Sequence, residues 1–397
     1  MFPRELKSTD NLKAVAEIAK NKLIEKGEIA TYNYIAGTEG FGEISYNNDS
    51  FKKYKFVPRV LVDVSKATSS LEVLGHPISS PIMVAPCALH TLVDKQGELA
   101  TAAAAARAGT IMTLSCLSSY SLEDVAKVAP ASPKWFQLYV YKNRNIVKDL
   151  VKRAEKAGFS AIVLTVDVPI LGYRLNSLIQ NKAMPKAGNF NFTDLHKSTN
   201  PEVRDGNDIY DPTLTWDIID WLKTITKLPI IVKGVLNAAD AREALKHGVS
   251  AISVSNHGDR QMDSAISTID ALPAIAREVG GRVPIFLDGG IRSGEDVFKA
   301  IALGATAVMI ARPVMWGLAC DGVEGASHVL YKLKDEFNRT MRITGCRSIK
   351  EIQEKGRSLL QNTQSESRRI GFFDSLSHEP LKPAQETLSG PSIKSKL

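Results

Sequence analysis

The stretch VPIFLDGGIRSGEDVFKAIALGATAVMIAR, residues 283–312, contains the repeating unit of this protein in one piece. A short apolar run is followed by a turn with one Asp and two Gly, an amphipathic segment and a second apolar run. The amphipathic segment has apolar residues at helical spacing, whereas the flanking runs are short, continuous and rich in β-branched residues. The stretch therefore predicts a strand, a helix and a second strand, with both strands buried on both faces as in a parallel sheet.

The same alternation recurs upstream. The eight apolar runs are PIMVAP (81–86), TIMTLS (110–115), KWFQLYV (134–140), SAIVLTVD (160–167), PIIVKG (229–234), SAISVSN (250–256), VPIFLDGG (283–290) and ATAVMIAR (305–312). Helix-like segments between them include GELATAAAAARAG (97–109), NIVKDLVKRAEKAG (145–158), NAADAREALKHG (237–248) and SGEDVFKAIALG (293–304). Eight strand–helix units are the number found in a (β/α)8 TIM barrel. The alternative, a doubly wound open sheet, typically has fewer strands and a Gly-rich first turn, whereas this chain has CALHTL there.

Three regions lie outside the repeat. We predict an N-terminal cap over residues 1–80, with a helix near 10–26 and short strands at VLVDV (60–64) and LEVLGHPI (71–78). Residues 81–362 form the barrel, with an insertion at about 168–214 that has little periodicity and is long enough to be a functional lid. Residues 363–397 form a flexible tail.

Composition excludes several classes of function. The net charge is +7, but basic residues are dispersed among acids, which is atypical of nucleic-acid binding. No apolar run reaches the roughly 20 residues that a membrane span needs, and no secretory signal is visible. The four Cys have no CxxC spacing, so we expect neither a disulfide framework nor a metal site. The sequence Ser395-Lys396-Leu397 matches a peroxisomal import signal and predicts a peroxisomal location and binding to the import receptor.

Residues capable of chemistry follow the predicted strands, where the active site of such a barrel lies. The third and fourth runs end in Gln137, Tyr139, Thr165 and Asp167, and Arg174 follows in the insertion. The fifth run ends in Lys233, a cation that we expect to point into the barrel mouth. The sixth leads into SNHGDRQMD (255–263), which taken alone could equally be a polar turn.

The last two strand ends predict an anion site. DGGIRSG (288–294) leads into a helix whose N-terminal amides favour an anion, and Gly289 and Gly290 let the backbone approach it closely. Arg292 and Arg312 can add charged donors. The alternative is an ordinary helix-capping turn with surface arginines, but the paired arginines favour a phosphate.

Within SNHGDRQMD, His257 and Arg260 have complementary capacities. His can act as a general base near neutral pH, and Arg can hold a carboxylate with two hydrogen bonds. Asp167 could orient and support the imidazole. The alternative is that His257 only caps a helix or donates to a carbonyl.

Taken in this order, the motifs resemble the FMN-dependent 2-hydroxy acid oxidase/dehydrogenase family, over about residues 10–355. The most specific parts are SNHGDRQMD and FLDGGIRSGEDVFKAIALGA, and FQLYVYKNRN, LTVDVP and LPIIVKGV match in the same order. The resemblance implies a barrel that binds FMN at its mouth.

The resemblance also implies roles for individual residues. Catalysis would involve His257 as the base, with Asp167, Tyr139 and Lys233. Substrate would be bound by Tyr34, Tyr139, Arg174, His257 and Arg260. FMN would be bound by Ala85, Pro86, Ser115, Gln137, Thr165, Lys233, Ser255, Asp288, Gly290, Arg292, Ala311 and Arg312.

The implied reaction is oxidation of an L-2-hydroxy acid to the 2-oxo acid, with the electrons passing through FMN to O2 to give H2O2. The alternatives are an L-lactate dehydrogenase that reduces a cytochrome or a quinone, an FMN-binding protein without turnover, and an FMN isomerase. Haem-binding sequence is not visible, and the import signal favours an oxidase. Members of this family are often tetramers, so a homo-oligomer is expected.

Two residues depart from the family pattern. Leu117 stands where glycolate oxidases have Trp, which would enlarge the pocket and favour lactate or longer 2-hydroxy acids over glycolate. Asp259 stands where Ala or Gly is usual. It could raise the pKa of His257, pair with Arg260, or point to solvent.

Overall fold

Eight parallel strands close into one barrel, which confirms the predicted (β/α)8 fold. This computed structural model describes residues 11–37, 46–172, 191 and 210–363. The barrel strands are β4 (Ile82–Val84), β5 (Met112–Ser115), β6 (Lys134–Leu138), β7 (Ala161–Thr165), β8 (Ile230–Val235), β9 (Ala251–Val254), β10 (Ile285–Asp288) and β11 (Ala307–Ile310). They pair in chain order, and β11 closes the ring against β4. Seven lie within one of the eight apolar runs, and β8 extends one residue beyond PIIVKG (229–234). Nearly all their residues are buried, as expected for a sheet covered on both faces.

Helices surround the barrel. They are α4 (Gly97–Arg107), α5 (Leu122–Val128), α6 (Arg144–Lys156), α7 (Asp217–Ile225), α8 (Ala238–Lys246), α9 (Thr268–Val279), α10 (Gly294–Ala302), α11 (Arg312–Ile343) and α12 (Ile349–Lys355). The four predicted helical segments all form helices, and a glycine with positive φ follows each within two residues. The long α11 is interrupted at Asp321 and Gly322, whose backbone angles are not helical.

The cap adds helices and a hairpin to the barrel. Its helices are α1 (Leu12–Glu25), α2 (Ile29–Ala36) and α3 (Tyr46–Phe51), and its strands are β1 (Tyr54–Phe56), β2 (Leu71–Val73) and β3 (His76–Ile78). The strand predicted at residues 60–64 is wrong, because that segment has no strand partner: Val60 is 81% exposed and Leu61 has a φ of 57°. Its apolar residues lie at the surface.

The β2–β3 hairpin closes one end of the barrel. Leu74 and Gly75 form its turn with φ values of 46° and 81°, the left-handed pair that a tight hairpin requires. Val73 and Ile78 are buried in the same inner cluster as barrel side chains such as Trp135, which lies near the start of β6. The N-terminal end of the barrel is therefore filled with apolar side chains.

One compact unit extends to Gln361, and a second begins at Asn362. A last short strand, β12 (Leu360–Asn362), spans that boundary. Most of the insertion at 168–214 and almost all of the predicted tail lie outside the described residues. Across the residues that the structure does describe, none of the helices combines the length and apolar character needed to cross a bilayer.

Candidate active site

A cavity of about 330 Å³ opens at the C-terminal ends of the barrel strands. This is within the size range of small-molecule sites, at its lower end. Fifteen of the residues expected at the site line the cavity: Tyr34, Ala85, Pro86, Ser115, Gln137, Tyr139, Thr165, Lys233, His257, Arg260, Asp288, Gly290, Arg292, Ala311 and Arg312. Asp167 and Ser255 contact lining residues from behind, and Arg174 lies outside the described residues.

Strand register brings the uncharged polar residues of the site together. Ser115 is paired with Gln137 across β5 and β6. The Gln137 amide donates to the Thr165 hydroxyl at 3.0 Å, and the Ser115 hydroxyl donates to the Gln137 amide oxygen at 3.3 Å. All three are buried side chains at consecutive strand ends. They form an array of donors and acceptors that suits the polar edge of a planar heterocycle.

Lys233 is a buried cation held by a serine and a carboxylate. It is 4% exposed, and its Nζ donates to Ser255 Oγ at 2.9 Å. Ser255 in turn donates to Asp288 Oδ1 at 2.7 Å, and Asp288 Oδ2 lies 3.5 Å from Lys233 Nζ. A buried ammonium needs such partners. Asp288 and Ser255, both expected as FMN contacts, therefore position the Lys233 side chain.

His257 is oriented by Asp167. The distance from His257 Nδ1 to Asp167 Oδ1 is 2.9 Å, and His257 Nε2 lies 3.5 Å from the Tyr139 hydroxyl at the cavity. Burial opposes ionisation of Asp167, but the charges of His257 and Lys233 keep its pKa below the ordinary 3.8. Asp167 is therefore a carboxylate at neutral pH, and Nδ1 carries a proton toward it. Nε2 is left as the atom that can accept a proton from a ligand.

Close packing fixes the position of that carboxylate. Gly234 has a φ of 115°, and a Cβ built there would lie 2.7 Å from Asp167 Cβ. Only glycine allows this approach of β8 to the end of β7.

The loop after β9 has an unusual backbone. His257, Gly258 and Asp259 have φ values of 57°, 67° and 63°, a conformation that non-glycine residues rarely adopt. Asn256 stabilises it: its amide oxygen accepts from the Gly258 N–H at 3.2 Å, and its amide nitrogen donates to Asp259 Oδ1 at 2.9 Å. Asn47 also donates to Asp259 Oδ1, at 2.8 Å.

The expectation that Asp259 might point to solvent is wrong, because its side chain is 2% exposed and joins this amide network. It also acts on the neighbouring cations. Burial lowers the pKa of both Arg292 and Arg312, and the negative charge of Asp259 partly offsets that effect. Asp259 is therefore a structural and electrostatic element behind the cavity wall.

The arginines at the last two strand ends fit a phosphate. Arg292 and Arg312 both line the cavity, and each is half-buried. Burial is the main cause that lowers the pKa of the Arg312 guanidinium, and the charge of Arg292 lowers it further. Arg312 is held in place by donating to the Gly258 carbonyl at 2.6 Å. A phosphate dianion bound between the two half-buried guanidiniums would offset both their burial and the repulsion between them.

Backbone groups complete this anion site. Gly290 has a φ of 84°, and a Cβ there would meet the Phe51 ring at 2.8 Å, so glycine is required where this turn packs against α3. Helix α10 begins just beyond it, capped by the Ser293 hydroxyl, which accepts from the Asp296 N–H. Gly290 and the two arginines line one cavity, and a helix N-terminus follows them.

Arg260 lies beside Arg312, because both guanidiniums donate to the Gly37 carbonyl. Arg260 donates to the carbonyls of Tyr34 at 2.9 Å and Gly37 at 2.7 Å, and its guanidinium lies 5.2 Å from the centre of the Tyr34 ring. Leu117 lines the wall together with Leu171. The site thus combines a cation on an aromatic face with aliphatic surface.

Sequence reasoning missed four contributors. Tyr210 lines the cavity, with its ring centre 5.1 Å from that of Tyr139. Gln261 bridges two loops by donating to the Asp167 carbonyl at 2.9 Å and accepting from the Gly172 N–H at 2.9 Å. Asn47 and Asn256 were missed as well. Tyr210, Gln261 and Asn47 lie outside the predicted strands and helices, whereas Asn256 ends the run SAISVSN. The loop SNHGDRQMD, which contains Asn256 and Gln261, was the only available signal.

Comparison with known proteins gives a consistent result. The family of FMN-dependent dehydrogenases matches residues 25–359. Glycolate oxidase 3 of Arabidopsis thaliana is 48% identical over 353 residues, covering 86% of this chain and 94% of that protein. The peroxisomal (S)-2-hydroxyacid oxidase GLO4 of the same plant is 46% identical over 326 residues, covering 80% and 89%.

A solved structure of mandelate oxidase superposes with a TM-score of 0.80 at 36% identity, covering 89% of this chain and 98% of that one. This chain therefore belongs to the FMN-dependent dehydrogenase family.

Proposed function

We propose that this protein oxidises (S)-2-hydroxy acids to 2-oxo acids and passes the electrons through FMN to O2, producing H2O2. The observation that carries the proposal is the His257 imidazole, held by Asp167 through Nδ1 with Nε2 left toward the cavity. A base in that place, between an arginine and a buried lysine, has the parts that removal of two electrons and a proton from a hydroxy acid requires. Relatives named as glycolate and (S)-2-hydroxyacid oxidases support it.

His257 takes up the proton. Nε2 accepts it from the substrate, and the Asp167 carboxylate stabilises the resulting imidazolium through the Nδ1–H hydrogen bond of 2.9 Å. The Tyr139 hydroxyl, 3.5 Å from Nε2, is placed to hydrogen-bond the same substrate oxygen. Proton transfer therefore occurs in a fixed direction toward the loop after β9.

Arg260 and Arg174 bind the substrate carboxylate in this proposal, and Tyr34 lies beneath the Arg260 guanidinium. A carboxylate held by guanidinium groups fixes the position of the adjacent carbon. Main-chain carbonyls hold the Arg260 guanidinium, so little ordering is needed when substrate binds.

FMN, when bound, supplies the two-electron acceptor. Arg292, Arg312 and Gly290 would hold its phosphate, and Ser115, Gln137 and Thr165 would contact its ring. Lys233 supplies a fixed positive charge, which stabilises negative charge that develops beside it on reduction. Asp288 and Ser255 keep that lysine oriented.

A stoichiometric assay tests the reaction. Anaerobic addition of a 2-hydroxy acid should bleach the flavin absorbance, and under air one H2O2 should form per 2-oxo acid. Bleaching followed by slow reoxidation in air, but fast reoxidation by a cytochrome or quinone, would identify a dehydrogenase instead. A flavin that no 2-hydroxy acid bleaches would contradict the proposal altogether.

We further propose that substrates longer than glycolate are preferred. The support is the aliphatic wall around Leu117, which lines the cavity with Leu171 and Tyr210. Apolar side chains of a substrate gain free energy by contact with such a wall, and one methylene is worth roughly 10–200-fold in specificity.

The Leu117→Trp variant tests this preference, with Leu117→Met as a control of similar volume. We expect the Trp variant to lose about tenfold or more in kcat/KM for lactate and longer acids relative to glycolate, whereas the Met variant keeps the wild-type order. A wild-type kcat/KM for glycolate well above that for every longer acid would contradict the preference.

Location and assembly are part of the proposal. Ser395-Lys396-Leu397 and the peroxisomal names of relatives support import into peroxisomes. An N-terminal fluorescent fusion should colocalise with a peroxisomal marker and become diffuse when Leu397 is deleted.

By resemblance we propose a homotetramer, which light scattering after size exclusion would test.

A further inference from the structure

Cys87 differs from the other cysteines. It follows β4 in the cavity wall and is half-buried, whereas Cys116, Cys320 and Cys346 are buried. Burial raises the pKa of Cys116 to about 11 and also raises that of Cys346. Burial acts on Cys87 in the same sense, but the neighbouring His90 and the charge of Arg260 overcome it, and the pKa of this thiol is lowered.

The partner of this thiol is a buried histidine. His90 is 1% exposed, and its Nδ1 lies 2.8 Å from the Thr101 hydroxyl. That hydroxyl donates to the Gly97 carbonyl, so it accepts a proton from Nδ1. Nε2 is therefore the ring atom that can exchange a proton. Among the described residues it has no hydrogen-bond partner, and the Cys87 thiol lies 3.9 Å from the Ala88 carbonyl. The two side chains are nonetheless close enough that His90 lowers the pKa of the Cys87 thiol and Cys87 raises the pKa of His90.

A buried carboxylate holds the turn that contains His90. Glu98 is fully buried and accepts from the backbone N–H groups of His90 and Ser119, both at 2.9 Å. Among the described residues, its second oxygen has no hydrogen-bond partner. Glu98 bonds the His90 backbone and not the imidazole, but its charge helps to raise the pKa of His90, which burial alone would lower. Cys87, His90 and Glu98 thus bring a thiol, an imidazole and a negative charge near one another.

The catalytic mechanism above uses none of these three groups. The catalytic base is His257, from the loop after β9, whereas Cys87 and His90 follow β4 and Glu98 begins α4. An arrangement that retains a proton acceptor beside a cavity-lining thiol has the features of a reactive cysteine.

We propose that Cys87 is a peroxide-reactive thiol, which H2O2 oxidises to a sulfenic acid with His90 as the base, and that this modification lowers turnover. The proposal rests on the proposed function only for the internal source of H2O2. Because peroxide would form in the same cavity, the thiol is exposed to it before it diffuses away.

His90 Nε2 takes the thiol proton, and the thiolate attacks one peroxide oxygen. A sulfur–oxygen bond forms and the oxygen–oxygen bond breaks, so the sulfur is oxidised by two electrons and the peroxide is reduced. The departing hydroxide takes the proton from Nε2 and leaves as water, and Cys87 becomes the sulfenic acid.

The modified residue would impair the cavity. It adds an oxygen to the wall beside Pro86 and close to Arg260, in the space that FMN and substrate share. A sulfenic acid is reduced by thiols. The loss of activity should therefore be reversible, unlike denaturation or flavin loss.

The test treats the FMN-loaded enzyme with added H2O2 and then with dimedone, and locates the label by mass spectrometry. We expect label on Cys87 and little on Cys116 or Cys346, which serve as internal controls. Without dimedone, activity should fall with peroxide exposure and return with dithiothreitol. The flavin spectrum establishes that FMN stays bound throughout.

Two variants test the separate roles of Cys87 and His90. Cys87→Ser should abolish the label and the reversible loss, measured relative to its own starting activity. His90→Gln keeps the thiol and should slow labelling about tenfold or more. Absence of label on Cys87 in flavin-loaded wild type, or equal labelling of Cys116, would overturn the proposal. Unchanged labelling in His90→Gln would overturn the role of the base.

A second arm separates this proposal from the proposed function. Turnover of a 2-hydroxy acid in air should label Cys87 even with catalase in the bulk solution. Label with added peroxide but none in turnover, together with no peroxide production, would contradict the proposed function and leave the reactive thiol supported.

Discussion

The two ends of the barrel contrast in almost every physical property. At the N-terminal end, Val73 and Ile78 of the hairpin join Trp135 in a dry apolar cluster. At the C-terminal end, Lys233 and His257 face a cavity and depend on carboxylates for support. The first end minimises exposed apolar surface, whereas the second keeps charged groups buried or half-buried at a cost in solvation free energy.

The difference teaches where stability and function lie. The hairpin end uses ordinary signals, a two-residue left-handed turn and buried alternate side chains. The mouth instead contains cations whose pKa is lowered by burial, which a folded protein tolerates when they serve a site. Mutations at the two ends should therefore separate activity from stability.

The largest expected effect is at the mouth. His257→Gln should lower kcat by about 10²–10⁴-fold, since this is the contribution of a positioned general base. The unfolding midpoint and flavin binding should stay near wild type, because the side chain lies at the cavity. A variant that retained more than a tenth of kcat would refute the role of His257 as the base.

The next effect should appear at the opposite end. Trp135→Ala removes a fully buried ring whose centre lies 5.2 Å from that of Phe286, and should lower the free energy of unfolding by about 3–5 kcal/mol. Denaturant unfolding measures the loss. Activity per folded molecule should be nearly unchanged, and Trp135→Phe should cost less. If Trp135→Ala lowered activity per folded molecule as much as His257→Gln does, mutations at the two ends would not separate activity from stability.

Asp259 tests whether the mouth also contains structural charge. Asp259→Ala removes one hydrogen-bond acceptor from each of the buried Asn47 and Asn256 amides and should cost about 1–3 kcal/mol in unfolding free energy. Asp259→Asn retains an oxygen that can accept both hydrogen bonds and should cost less. Equal losses in the two variants would show that the charge matters more than the hydrogen bonds.

The smallest effect concerns acid stability. The pKa of Asp167 is lowered from its ordinary 3.8 in the folded protein, so its stabilising contribution is complete above that value and is lost as the pH falls below it. Asp167→Asn should therefore show a shallower fall in unfolding free energy from pH 5 to pH 3 than wild type. Parallel curves would mean that Asp167 serves orientation alone.

Much of the site was predictable because strand ends in a parallel barrel converge. Once SAIVLTVD and PIIVKG are assigned as strands, Asp167 and Lys233 must lie at the same rim. The contacts of Asn47 were not predictable, since it lies 212 residues from Asp259 in the chain and in the cap. The buried position of Asp259 followed from that contact.

The proximity of the Cys87 thiol and the His90 imidazole was not predictable either, although the two residues are close in the chain. CALHTL reads as a turn without a phosphate motif, and nothing in its spacing indicates that His90 is buried beside Cys87. Glu98 reads as the polar start of a helix, yet it accepts two backbone N–H groups from separate loops. Local sequence reports which residue types are present but not which groups share a proton.

The sequence by itself determined the barrel, its strand order and the polar residues that follow strands three to eight, because periodicity and chain connectivity act over tens of residues. Tyr34, Ala85 and Pro86 were expected at the mouth only from the family resemblance. Only the tertiary structure decided that Asp259 is buried, that Ser255 and Asp288 support Lys233, and that the Cys87 thiol lines the cavity. Burial and hydrogen-bond partnership depend on segments that are distant in the chain, and they decide the protonation and reactivity of each side chain.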